Sequence, residues 1–167
     1  MSKIIKKNGE ITVSHWRHLE EETPWPEDCS PFTISFSRLK SLGIDLPHPN
    51  SEWGVRIRPE DDLNEIRDIL GELDLVVLEM GPFTDGRSFT QARDLRERFN
   101  YLNEIRVIGD FLQDQMYFLD RLGVDSFEFN SEAKLPDQEK VFGEFSFAYQ
   151  VAPNGPEPVC RKRALGI

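Results

Sequence analysis

The chain has 167 residues, enough for one domain that buries about two-thirds of its unfolded surface, so a disulfide-stapled mini-protein is excluded. Hydrophobic residues make up 38% and charged residues 30%, the balance of a slightly polar globular chain that is neither membrane-embedded nor disordered. The excess of 30 Asp+Glu over 20 Lys+Arg gives a net charge of -10, which repels nucleic-acid phosphates and anionic lipid; neither is an expected partner.

Cys29 and Cys160 are far apart and stand near no Cys or His at metal-ligand spacing, so neither a structural zinc site nor a redox pair is written here. The first residues carry lysines without an apolar run long enough for a signal peptide, and no later run approaches a membrane span. The expected location is the cytoplasm.

Up to residue 53 the chain reads as an irregular arm, because Pro24, Pro26, Pro31, Pro47 and Pro49 leave room only for short elements. Residues 10–13 can form a strand, 32–36 alternate as an exposed strand would, and 37–42 make a helical turn or two before Gly43. His15, His18 and His48 fall in this region and read as surface residues. Trp16, Trp25 and Trp53 can cover one end of a sheet.

From residue 54 to about 150, short β-branched runs alternate with helical periods, the pattern of four βα units on a parallel sheet in an α/β fold. The strands are 55–58, 75–78, 105–108 and 127–129. Asp61 or Asp62 caps a first helix running to Leu70 and closed by Gly71. Ser88 and Gln91 form a capping box for a second over 88–99, and Asp110 caps a third whose apolar stripe ends before Gly123. Pro136 opens a final helix to about residue 149, rich in aromatics that can pack on the sheet or on a second chain, which leaves a homo-oligomer open. Residues 151–167 read as a flexible tail. Both a half-barrel and a compact doubly wound sheet fit this order.

In either arrangement ligands gather at the C-terminal ends of the strands. Those ends carry a polar rim of Arg58, Glu79, Asp110 and Glu128. The most specific segment is Phe83-Thr84-Asp85-Gly86-Arg87-Ser88-Phe89, in which a tight turn delivers a guanidinium to a helix N-terminus. Asp85, Gly86, Arg87 and Ser88 are therefore candidates for binding a small oxyanion. The plainer use, somewhat the stronger of the two, has Asp85 and Ser88 capping the helix while Arg87 pairs with Asp85 or Asp110. Glu79, Asp110 and Glu128 can in principle hold a divalent cation, but caps and ion pairs account for them better, so no metal is expected. Asp114 and Gln115 lie one turn into the third helix and read as its polar face. No phosphate loop, dinucleotide fingerprint, nucleophile elbow, iron–sulfur set or haem-attachment motif is present, so no cofactor is expected.

The segment 83–89, followed by Ala92-Arg93-Asp94-Leu95-Arg96-Glu97-Arg98, then by 104–110, Asp114-Gln115 and 123–128, resembles the bacterial family called DUF934. Ser88 and Phe89 depart from it, where the family often has Gly and Tyr. The resemblance implies a role in assimilatory sulfite reduction, because such proteins are described as oxidoreductases encoded beside the siroheme sulfite reductase haemoprotein. That haemoprotein is the partner it implies, and an accessory role is favoured over independent catalysis. The rival reading is a small (β/α) enzyme acting on an anionic metabolite at the Arg87 loop.

Overall fold

A computed structural model describes residues 2–42, 51–82, 84–129, 135–136 and 152–153. Among the described residues eight strands form one sheet: β1 (Lys3–Lys6), β2 (Ile11–Val13), β3 (Arg17–His18), β4 (Phe32–Ser35), β5 (Trp53–Ile57), β6 (Leu75–Glu79), β7 (Glu104–Ile108) and β8 (Ser126–Phe129). Their spatial order is β2-β1-β8-β7-β6-β5-β4-β3. From β3 to β8 every neighbouring pair is parallel and the order follows the chain, whereas β1 runs antiparallel to both β8 and β2.

This order never reverses, so the sheet is wound in one direction as in half of a (β/α) barrel, and the doubly wound alternative does not occur. Four strands separate β3 from β8. In a flat sheet that is about 24 Å at the usual strand spacing. Yet His18 on β3 reaches the Glu128 carboxylate on β8 at 3.1 Å, which only a strongly curled sheet allows.

The two faces of the curl differ in chemistry. Phe32, Ile34, Val55, Ile57, Val76, Leu78, Ile105, Val107 and Phe127 alternate onto the convex face. There they pack against Leu39 of α1 (Phe36–Leu42), Ala92 and Leu95 of α2 (Arg87–Glu97), and Met116 and Leu119 of α3 (Gln113–Arg121). The register puts Thr33, Gly54, Leu75 and Glu104 in one row on the other face, and Ser35, Arg56, Val77, Arg106 and Ser126 in the next. The helices cover an oil-like surface while the hollow of the curl holds charges.

Several expectations are corrected. The segment before residue 53, read as an arm with short strands, places its strands β1 to β4 in the common sheet, with α1 following β4. β4 is buried along its whole length instead of exposed on one face, because β3 and β5 flank it and α1 packs on it. The helix expected over 61–70 shortens to two 3₁₀ turns, Leu63–Ile66 and Leu70–Glu72, the first capped by the Asp62 carboxylate on the Asn64 amide. Asp110 caps nothing: α3 starts later, with Leu112 at its N-cap and the Gln115 side chain reaching back to the Leu112 amide at 2.8 Å. Ser88 does not cap α2, whose N-cap is Gly86; its hydroxyl turns inward to the Glu79 carbonyl at 3.1 Å. Gln91 completes no box and donates instead to the carbonyls of Arg58 and Asp61. The helix expected to end near residue 149 and the tail after it lie outside the described residues, as do His48 and Cys160, apart from Pro136, Ala152 and Pro153.

Gly54 fixes how closely β5 and β6 approach on the hollow side. A Cβ there would meet the Leu75 carbonyl oxygen at 2.2 Å and its Cβ at 2.9 Å. Gly54→Ala is expected to force the two strands apart and lower stability by about 1–3 kcal/mol, read as a fall in the urea midpoint with an unchanged slope.

Candidate functional site: the strand-end face

Two neighbouring features occupy the side of the sheet where functional groups are expected. The first is the charged lining of the hollow. Arg106, 2% exposed in its side chain, donates from every guanidinium nitrogen: Nε to Glu104 and Ser126, Nη1 to Ser14 at 3.1 Å and Glu128 at 2.9 Å, and Nη2 to Glu104 at 2.8 Å. Glu128, 5% exposed, also takes hydrogen bonds from the Ser2 hydroxyl and from His18, whose other ring nitrogen meets Thr33 at 2.7 Å. Burial pushes the Glu128 carboxyl up. The hydrogen bonds from His18 and Ser2, with the charges of His18 and Arg106, outweigh it and hold the group down at about 2.

Toward the open end of the hollow lie Arg56, Arg58 and Glu79. Arg56 donates to the Leu19 carbonyl at 2.7 Å, while its Nε, buried and without a hydrogen bond, is 4.0 Å from Glu79. Arg58 reaches the same carboxylate at 3.4 Å. Nearby, Glu21 accepts from Ser35 and Ser37, and these bonds, against a small cost of burial, lower its pKa.

The second feature is a cleft of about 770 Å³ between the ends of β6 and β7. Met80, Gly81 and Pro82 form one wall, Gly109, Asp110, Phe111 and Leu112 the other, and Gln115 of α3 closes it. Gly109 has a φ of +110°, a left-handed conformation that lets the chain leave β7 beside Met80, where a Cβ would press on the Met80 carbonyl at 3.3 Å. The loop beyond Pro82 is closed on itself. Arg87 donates three hydrogen bonds to Asp85, by Nε at 3.0 and 3.2 Å and by Nη2 at 2.7 Å, and the Asp85 carboxylate also accepts the Arg87 amide. The side-chain bonds from Arg87, then the amide, lower the Asp85 pKa.

The rim residues are thus divided among three places. Arg58 and Glu79 pair at the mouth of the hollow, Glu128 lies inside it, and Asp110 lines the cleft between the ends of β6 and β7. Among the described residues no group of three or more His, Cys, Asp and Glu side chains could hold a metal ion, and no helix is long and apolar enough to cross a membrane. His18 is corrected from a surface residue to part of the buried network, whereas His15 is exposed. Trp53 is core. Sequence reasoning missed Arg56 and Arg106 as well, and the signal was present: charged and apolar residues alternate in Val55-Arg56-Ile57-Arg58, 104–107 and 126–129, where a parallel strand buried by apolar neighbours on both sides would be uniformly apolar.

A family model described as a bacterial protein of unknown function, DUF934, matches residues 54–160. Among curated proteins none matches the chain.

The network makes a prediction with a definite sign. Glu128 titrates below its ordinary value of 4.5 in the folded protein, so its contribution to stability is complete above that pH and is lost as pH falls toward about 2. Glu128→Gln is expected to remove one of the two carboxylates that face buried Arg106, leaving Glu104 as its counter-charge, and to cost about 1–3 kcal/mol. It should also flatten the loss of stability across that acid range. Arg106→Met combined with Glu128→Gln should recover much of the cost. Urea unfolding of the three proteins between pH 7 and 3 checks this, and equal stability of single and double variants would show that the pair is uncoupled.

Proposed function

Because the chain belongs to the DUF934 family, we propose that it serves assimilatory sulfite reduction in the cytoplasm as an accessory component acting with the siroheme sulfite reductase haemoprotein. Support comes from the association that the resemblance implies and, in the geometry, from one observation. Two of the segments that carry the resemblance, 104–110 and Asp114-Gln115, meet at the cleft, whose other wall leads into the third, the 83–89 loop. These segments are separate in sequence. Their convergence on the C-terminal ends of β6 and β7 is what a binding role for that face requires, since the strand ends are where a (β/α) sheet offers loops free of packing duties.

On this reading the redox chemistry belongs to the haemoprotein, and this chain supplies a surface. A second reading, turnover of a small anionic metabolite, rests instead on the Arg87 guanidinium standing at the start of α2. In that case Asp85 must release Arg87 as the anion binds.

A deletion strain is expected to require sulfide or cysteine that sulfite does not replace, and the purified protein to reduce no sulfite with a chemical electron donor until the haemoprotein is added. Normal growth of the deletion strain on sulfate would overturn the pathway assignment. Sulfite reduction by the isolated chain would overturn the accessory role and leave an enzyme.

A further inference from the structure

Among the described residues at this end of the molecule, Leu112 is an exposed apolar side chain that packing does not account for. It is 54% exposed, yet its position is fixed from both sides. Phe111 before it is tucked against the rings of Phe127 and Phe129, with centroids 5.7 and 5.0 Å away. The Leu112 amide is held by Gln115 at 2.8 Å, and its backbone is extended, at φ -90° and ψ 163°. With Phe111 facing inward, the next side chain of an extended segment faces outward. The result is an apolar side chain held at the lip of a cleft lined by Met80, Pro82 and Phe111, at no further entropic cost to a molecule that covers it.

The charges around it select the partner. Asp110 and Asp114 stand two residues to either side of Leu112, both exposed. Arg87, in the loop beyond the Pro82 wall, is committed to Asp85 by three hydrogen bonds. The amide of Leu112, the N-cap of α3, is occupied by Gln115, and Asp114 already sits in the first turn where an anion would be favoured. An anionic occupant would therefore meet two carboxylates, while a cation would be attracted by them and by the net charge of -10.

We infer that the cleft between β6 and β7 is a docking surface for a protein presenting an apolar side chain flanked by lysine or arginine. The apolar group enters against Leu112, Phe111 and Met80, and the basic group pairs with Asp110 or Asp114. This rests on the reading that the chain works through a partner haemoprotein, and it names the surface used.

The test measures binding of the full chain to the purified haemoprotein by titration calorimetry at low and high salt. Wild type is expected to bind, more weakly as salt rises, because steering and rim pairs are screened. Leu112→Asp, and separately Asp110→Lys with Asp114→Lys, should each weaken binding by about tenfold or more, the charge reversal also removing most of the salt dependence. Ile11→Ser with Val13→Ser alters the exposed apolar residues of β2 and should bind as wild type does. Urea unfolding confirms that each variant is folded, as substitutions at exposed positions allow. No binding by wild type overturns the partner reading, and this inference with it. Wild-type binding that survives both cleft variants overturns the inference alone, as does binding lost in the β2 variant only. Self-association of wild type abolished by Leu112→Asp, seen by sedimentation equilibrium, would make the occupant a second copy and refute a basic partner.

Discussion

Arg106 is the charge around which this sheet has to close. A guanidinium on a side chain only 2% exposed is tolerable only if its donors are met and its charge balanced, because unpaired ionic groups in a low-dielectric interior cost several kcal/mol. The partners come from separate parts of the chain: Glu104 on its own strand, Ser126 and Glu128 on β8, and Ser14 from the segment between β2 and β3. Meeting them brings the N-terminal segment across the hollow, which is why β1 and β3 end up on opposite sides of the parallel run. His18 completes the closure by joining β3 to Glu128.

Such a network is better understood as a device of specificity than of stability. Well-packed apolar residues of similar volume would often stabilise as much or more. What the charges add is a penalty for error. A slip of one residue in the pairing of β7 would move Arg106 from the hollow to the convex face, among Val76, Leu78 and the helices, where nothing could pair with it. The register of the central strands is therefore fixed twice, by apolar residues that must face the helices and by ionic ones that must not.

The strands 75–78 and 105–108 and the helix near 88–99 were legible because their signals are local: β-branched runs, apolar residues at helical spacing, and glycines at ends. Of the N-terminal strands, β2 and β4 were legible, at 10–13 and 32–36, and β1 and β3 were not. β1 is four residues and β3 is two; β1 pairs with nearby β2 but also with remote β8, as Lys3 with Phe129, and β3 pairs with β4 fifteen residues on, as Arg17 with Phe32. Capping failed for a related reason. Asp110, Ser88 and Gln91 carry good capping chemistry, but tertiary acceptors such as the carbonyls of Glu79, Arg58 and Asp61 claimed the last two. Asp110 was displaced because Phe111 packs on β8 and delays the start of α3. Glu79 ends β6 and Arg58 follows β5, as the strand pattern indicates, whereas the pairing of those two across the sheet and the placing of Asp110 in a separate cleft are tertiary and no local pattern encodes them.

The interior network and the exterior cleft divide the molecule's electrostatics between them. Along the hollow, Glu104, Glu128 and Glu79 face Arg106, Arg56 and Arg58 within 4.0 Å, so that region is close to charge balance and contributes little field at a distance. The formal excess of -10 must then arise mostly from exposed carboxylates, where it is felt over about 8–10 Å at physiological salt. The buried charges can enforce the fold without setting how the surface attracts other molecules, and the surface charges can steer an encounter without being held in place by the fold. A substitution at Arg106 or Glu128 should therefore act on whether the domain exists, and one at the lip of the cleft on what it meets.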